Sequence, residues 1–117
     1  MAWFSRPPDR RTSTRFQAEV PVIISVVGDE EIASVRVLAK SIGEGGLSTV
    51  AIEGLEAGQP VSLEIHLPNA THPIWVEATV RHNSERCGLQ FSSLGQQQKQ
   101  LIKRYCRLQP PEKRRSA

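Results

Sequence analysis

The chain is expected to fold as an all-β (mainly β) domain, six antiparallel strands forming a barrel or a sandwich, with one C-terminal α-helix packed on it. Three observations predict this. Six short segments rich in β-branched residues alternate or run apolar, and Gly, Pro and Asn turns separate them. No helical pattern interrupts them, which favours antiparallel pairing over a βαβ layout. After Phe91 the apolar period changes from two to that of a helix.

The first segment runs from about Gln17 to Val27 and carries Val20, Val22, Ile23, Ile24 and Val26. Pro21 lacks a backbone donor, so its position is expected at an edge or a bulge. The second covers Ile32 to Lys40, with Ala33, Val35, Val37 and Ala39 on one face. A glycine turn leads to a third segment, Leu47 to Ile52, and Gly54 with Gly58-Gln59-Pro60 turns the chain again. Val61, Leu63, Ile65 and Leu67 then alternate with Ser62, Glu64 and His66. Across the loop 68–73, Ile74, Val76, Ala78 and Val80 alternate with Trp75, Glu77, Thr79 and Arg81. Cys87, Leu89 and Phe91 form the last strand. Leu94, Leu101, Ile102, Tyr105 and Leu108 fall on one helical stripe, with Ser93 as the expected cap and no proline before Pro110.

At 117 residues the chain is long enough for one core without staples. No apolar run could span a membrane, and the first residues lack the apolar core of a secretory signal, so a cytoplasmic location is the expectation. The two cysteines, Cys87 and Cys106, stand in no metal-ligand spacing and read as reduced thiols. Charge is unevenly divided. Residues 1–16 carry four Arg and one Asp, residues 99–117 seven Lys or Arg and one Glu, and the body between them four basic against ten acidic residues. A basic fringe on an acidic body points to an anionic ligand or partner near the termini. The domain plan is therefore a basic arm over 1–16, the barrel and helix over 17–108, and a basic tail over 109–117 expected to be disordered.

Catalytic readings lack their parts. His66, His72 and His82 fall on outward faces or loops, with no Cys, Asp or Glu at a metal-binding interval. No serine sits in a nucleophile-elbow context, and the glycine turn is not followed by the Lys-Ser/Thr of a P-loop. Neither an enzyme nor a metal or cofactor site is expected. Specific nucleic-acid recognition is not expected either, since few aromatics are exposed for base stacking.

What remains is an arginine–glycine constellation. Arg10, Arg11 and Arg15 precede the first strand, and Ser41-Ile42-Gly43-Glu44-Gly45-Gly46-Leu47 follows about 30 residues later. A guanidinium grips phosphate with two parallel donors and stacks on bases, and a glycine turn lets backbone N–H groups approach a ligand. In these features the chain resembles the PilZ family, bacterial receptors for the second messenger cyclic di-GMP. The first family signature, RxxxR, is intact as Arg11-Thr12-Ser13-Thr14-Arg15. The second, (D/N)xSxxG, is degenerate. Gly88-Leu89-Gln90-Phe91 matches a later family feature.

The resemblance implies a six-stranded antiparallel β-barrel of the split-barrel kind with the C-terminal helix packed on it, and cyclic di-GMP as ligand, held by Arg10, Arg11, Arg15, Ser41, Gly43, Gly45 and Gly46, with an unidentified protein effector downstream and a monomer or homodimer as the unit. In the family the Asp or Asn and the Ser of the second signature meet a guanine edge. Here Ser41 and Gly43 stand in those places, and only Gly46 matches. Losing one charge-assisted and one neutral hydrogen bond weakens binding by roughly 2–4.5 kcal/mol. The alternative reading is thus a PilZ-like adaptor that has dispensed with the nucleotide and acts through protein contacts alone.

Overall fold

A computed structural model of the chain describes residues 15–27 and 32–110. Among them lie six strands and one helix: β1 (Phe16–Val27), β2 (Ile32–Ile42), β3 (Gly46–Val50), β4 (Pro60–Ile65), β5 (Ile74–Asn83), β6 (Arg86–Phe91) and α1 (Gln96–Arg107). Every strand pairing is antiparallel, and the sheet closes in the order β1-β2-β3-β6-β5-β4. The expected mainly-β barrel with its terminal helix is the observed architecture.

Period-2 patterning explains the core. Val61, Leu63 and Ile65 of β4 and Ile74, Val76, Ala78 and Val80 of β5 point inward, while Glu64, Trp75 and Glu77 do not. Val20, Val22 and Ile24 of β1, Leu47 of β3 and Leu89 of β6 fill the remaining space. Closure leaves Pro21 without an edge. It pairs with Leu38, accepts from His66 N–H through its carbonyl at 3.0 Å, and lies beside a register shift between Gln17 and Val20. The bulge half of the expectation is the one that applies.

Ala33, Val35, Val37 and Ala39 do share one face, opposite Val26, Ile24, Val22 and Val20, although Val35 is 38% exposed and Ala33 is exposed too. Three expectations need correcting. The third strand starts one residue earlier than expected and stops at Val50. Ile52 belongs to the following loop and is buried because Asn83 holds it: its N–H donates to Asn83 Oδ1 at 2.9 Å. The helix begins at Gln96, capped at Gly95, not at Ser93. The Gly95 N–H is taken by Gln98 Oε1 at 2.8 Å, so a glutamine three residues on supplies the acceptor. Leu108 lies past the helix end and is exposed, outside the buried stripe of Ile102, Tyr105 and Cys106.

The helix covers the barrel end where Ile42, Asn69 and Trp75 lie. Asn69 donates to the Leu101 carbonyl at 3.2 Å, Gln98 to the Trp75 carbonyl at 3.0 Å, and Cys106 Sγ faces the Ile42 carbonyl at 3.6 Å. Beyond it the chain stays docked: Gln17 N–H donates to the Pro110 carbonyl at 2.9 Å. Of the segment expected as a tail, Gln109 and Pro110 are therefore bound to the domain, and 111–117 lie outside the described residues.

Candidate functional site

The strand registers assemble one transverse row of residues on the outer barrel wall. Gln17 of β1 pairs with Ser41 of β2, Ser41 with Ser48 of β3, Ser48 with Gly88 of β6, and Gly88 with His82 of β5. Directly opposed residues share a face, and the neighbouring pairs Leu47–Leu89 and Thr49–Cys87 point into the core. The row therefore points outward. A second outward row lies two residues along β3, where Gly46 pairs with Gln90 and Gln90 with Thr79.

Arg15 comes to this second row. A Cβ built on Gly46 would fall 3.0 Å from Arg15 Nη2, 3.1 Å from Gln90 Cα and 2.1 Å from the Leu89 carbonyl oxygen. Glycine is required here by close approach, since positive φ among the described residues is confined to Gly54 and Gly58. The bare backbone gives the guanidinium its seat, and the Nε of Arg15 is closed to solvent. One bond within the turn, Gly43 N–H to the Gly46 carbonyl at 2.9 Å, and another from Phe91 N–H to the Gly45 carbonyl at 2.9 Å, fix the loop to β6.

Ser41 is fully buried, and its hydroxyl lies 2.6 Å from that of Ser48. Arg86, at the start of β6, donates from Nη2 to Ser48 Oγ at 2.9 Å. A hydroxyl pair thus lies beneath a guanidinium near the end of β2. Glu44 in the turn is half-buried and lies towards α1. Burial first, and then the Glu44 charge, push the Cys106 thiol up to about 11.

The sequence-derived residues Arg15, Ser41, Gly43, Gly45 and Gly46 are thus brought to one region around the β2–β3 turn. Arg10 and Arg11 lie outside the described residues. Three further groups on this wall escaped sequence reasoning. Arg81 donates to the Gln90 side chain from the bulge between Val80 and His82, Arg86 sits on Ser48, and the His82 ring covers Gly88. The alternation of β5 and β6 with their two-residue turn at 84–85 was the signal that could have placed them opposite the signature strand. Cys87 and Cys106 are both free and buried.

A family model described as the PilZ domain matches residues 9–108. Among solved structures, the chain is similar to the Bacillus subtilis inhibitor of motility (MotI/DgrA), with 29% identity and a TM-score of 0.68 over 88% of this chain and 52% of that one. It thus spans about half the length of that protein. It is also similar to the PilZ domain of Escherichia coli YcgR with cyclic di-GMP, at 13% identity and TM-score 0.63 over 86% and 92% of the two chains. A third similar structure is Borreliella burgdorferi PlzA in complex with cyclic di-GMP, at 14% identity and TM-score 0.59 over 84% and 41%. The last two share the fold. No curated protein matches the chain.

Proposed function

The chain belongs to the PilZ domain family, and from that premise we propose that it is a receptor for cyclic di-GMP that relays the signal to a protein partner. The observation that carries this reading is the Arg15 guanidinium resting against Gly46, the two signature positions in one place although 31 residues apart in sequence. Arg10 and Arg11 join Arg15 in binding the phosphates and stacking on guanine, terms that need no acid at position 41. Ligand binding draws the arm 1–16 over the barrel wall beside the glycine turn and so creates a new face for the partner. The output is a change of shape and not a reaction. The reading places the protein in the cytoplasm, where a diffusible second messenger is met.

Calorimetric titration with cyclic di-GMP tests it. Wild type should give saturable heats, and Arg11→Ala and Arg15→Ala should each lose most of them. Equal heats in all three proteins, or none in wild type, would rule the receptor out.

The burial of Ser41 supports a second reading, an adaptor that keeps the fold without the ligand. Its hydroxyl is taken up by Ser48, so it offers a base little. The double substitution Ser41→Asp with Gly43→Ser separates the two: a latent receptor tightens, and an adaptor stays inert. For the partner, the similarity to an inhibitor of motility at 29% identity makes motility the first process to examine.

A further inference from the structure

We propose that β2 is the docking edge for a second copy of this chain. Residues 32–38 pair antiparallel with the same residues of the copy, about a two-fold axis through Val35.

β2 pairs with β1 from Ile32 to Ile42, but with β3 only at Ser41 and Ile42. Among the described residues, no strand pairs with the other edge of β2 ahead of Ser41. Pro21 fixes which groups that edge carries. Its carbonyl accepts from His66 N–H on the β4 side, so Val22 and Ile24 turn their N–H and C=O groups to β2. Their partners Val37 and Val35 turn theirs back to β1. Ile32, Ser34, Arg36 and Leu38 therefore point theirs away from it. The Leu38 carbonyl does so visibly, accepting from the Thr49 hydroxyl of β3 at 2.9 Å.

Sheet edges are commonly blunted by proline, bulges or several charges. Residues 32–38 contain no proline, no glycine and one charge, Arg36. Apolar exposure gathers there too. Six large hydrophobic side chains are exposed among the described residues, and three of them are Ile32 at 67%, Leu38 at 43% and Val35. An open backbone edge and unburied apolar side chains coincide on one strand.

The order of residues fits this strand to itself. About an axis at Val35, Val35 faces its own copy, Ala33 faces Val37, Ser34 faces Arg36 and Ile32 faces Leu38. Every exposed apolar side chain of the strand meets an apolar one, and the guanidinium is opposed by a hydroxyl. The pairs Ser34–Arg36 and Ile32–Leu38 are also the ones whose backbone groups point outward, so each exchanges two hydrogen bonds. Other axes fit worse. One at Ser34 sets Ile32 against Arg36, and one at Arg36 opposes two like charges. One at Val37 sets Ile32 against Ile42, which is already paired with Leu47. The product at Val35 is an isologous contact in which two β1–β2 ribbons form one four-stranded sheet.

Sedimentation over about 1 μM to 1 mM tests it, with no nucleotide present. Wild type should show a reversible monomer–dimer equilibrium. Val35→Lys opposes two like charges at the axis and should raise the dissociation constant roughly tenfold or more, after thermal unfolding shows it to be folded. Val35→Cys gives an independent reading, since Cys87 and Cys106 are both buried. Opposed residues of a pair without hydrogen bonds lie about 4.5 Å apart at Cα, within disulfide range. Mild oxidation should therefore link Val35→Cys into a dimer. In Leu38→Cys the two thiols would stand about 20 Å apart, and that variant should stay unlinked. A monomer throughout leaves the edge to a different partner and overturns the proposal. A dimer indifferent to Val35→Lys places the interface elsewhere and overturns it as well. Linking of Leu38→Cys as readily as Val35→Cys overturns the register. None of these results depends on whether the chain binds cyclic di-GMP.

Discussion

Gly46→Ala puts one methyl group where the signature strand and β6 leave no room for it. The added Cβ would stand 2.1 Å from the Leu89 carbonyl oxygen, and real Cβ atoms essentially never approach closer than 3.0 Å. The obstacle is backbone, so relief requires β3 and β6 to part by about an ångström and not merely a rotamer to change. Such overpacking costs about 1–3 kcal/mol. The parting also stretches the bonds from Gly43 N–H to Gly46 and from Phe91 N–H to Gly45, adding about 1 kcal/mol. Restricting the unfolded chain returns only about 0.4–1 kcal/mol, so the steric effect wins. The net loss, about 1–3.5 kcal/mol, lowers the thermal midpoint of a domain of this size by roughly 5–25 °C. Circular dichroism melting of the two proteins measures it directly. A Gly46→Ala midpoint within about 2 °C of wild type would refute the close-approach account of this glycine. Binding should suffer as well, because the same methyl stands 3.0 Å from Arg15 Nη2.

Three further outcomes follow from the structure. Gly88→Ala should be mild, under about 1 kcal/mol by chemical denaturation. Its Cβ meets the ring of exposed His82, which can swing aside, and His82→Ala should abolish even that effect. Asn83→Ala should destabilise by about 1–3 kcal/mol in the same assay, because it strands the Ile52 N–H and the Ile52 and Leu55 carbonyls that Asn83 now satisfies. The Cys106 thiol, raised from 9.0 to about 11 chiefly by burial, ionises in the unfolded chain before it does in the fold. Its contribution to stability is therefore complete below pH 9 and is lost as pH rises towards 11. Cys106→Ala should flatten that part of the stability–pH curve, and Glu44→Gln should shift it to lower pH.

The architecture was legible because it rests on local pattern. Alternation in β4 and β5 marks their inward faces without ambiguity, and the change of period after Phe91 announces the helix. Errors arose where a distant residue decides a local outcome. Ile52 reads as strand but is a loop residue held by Asn83, 31 positions away. The cap is a local miss instead: Ser93 reads as one, yet Gln98, three residues past Gly95, supplies the acceptor. The candidate site divides along the same line. Arg15 and Gly46 stand out in sequence because charge and glycine are visible there. That Ser41 is sealed against Ser48, and that Arg81, Arg86 and His82 share its wall, depends on cross-strand register and on one bulge in β5, which the sequence does not display.

The bond from Gln17 to the carbonyl of Pro110 gives the domain a clasp. Entry and exit of the chain are fastened to each other two residues from the guanidinium that rests on the glycine turn. A pull on either end is delivered to the same spot, so whatever is joined to the carboxyl side can sense, or disturb, how firmly Arg15 is seated. Clipping the chain after Leu108 would undo the clasp and loosen that seat without touching a single signature residue.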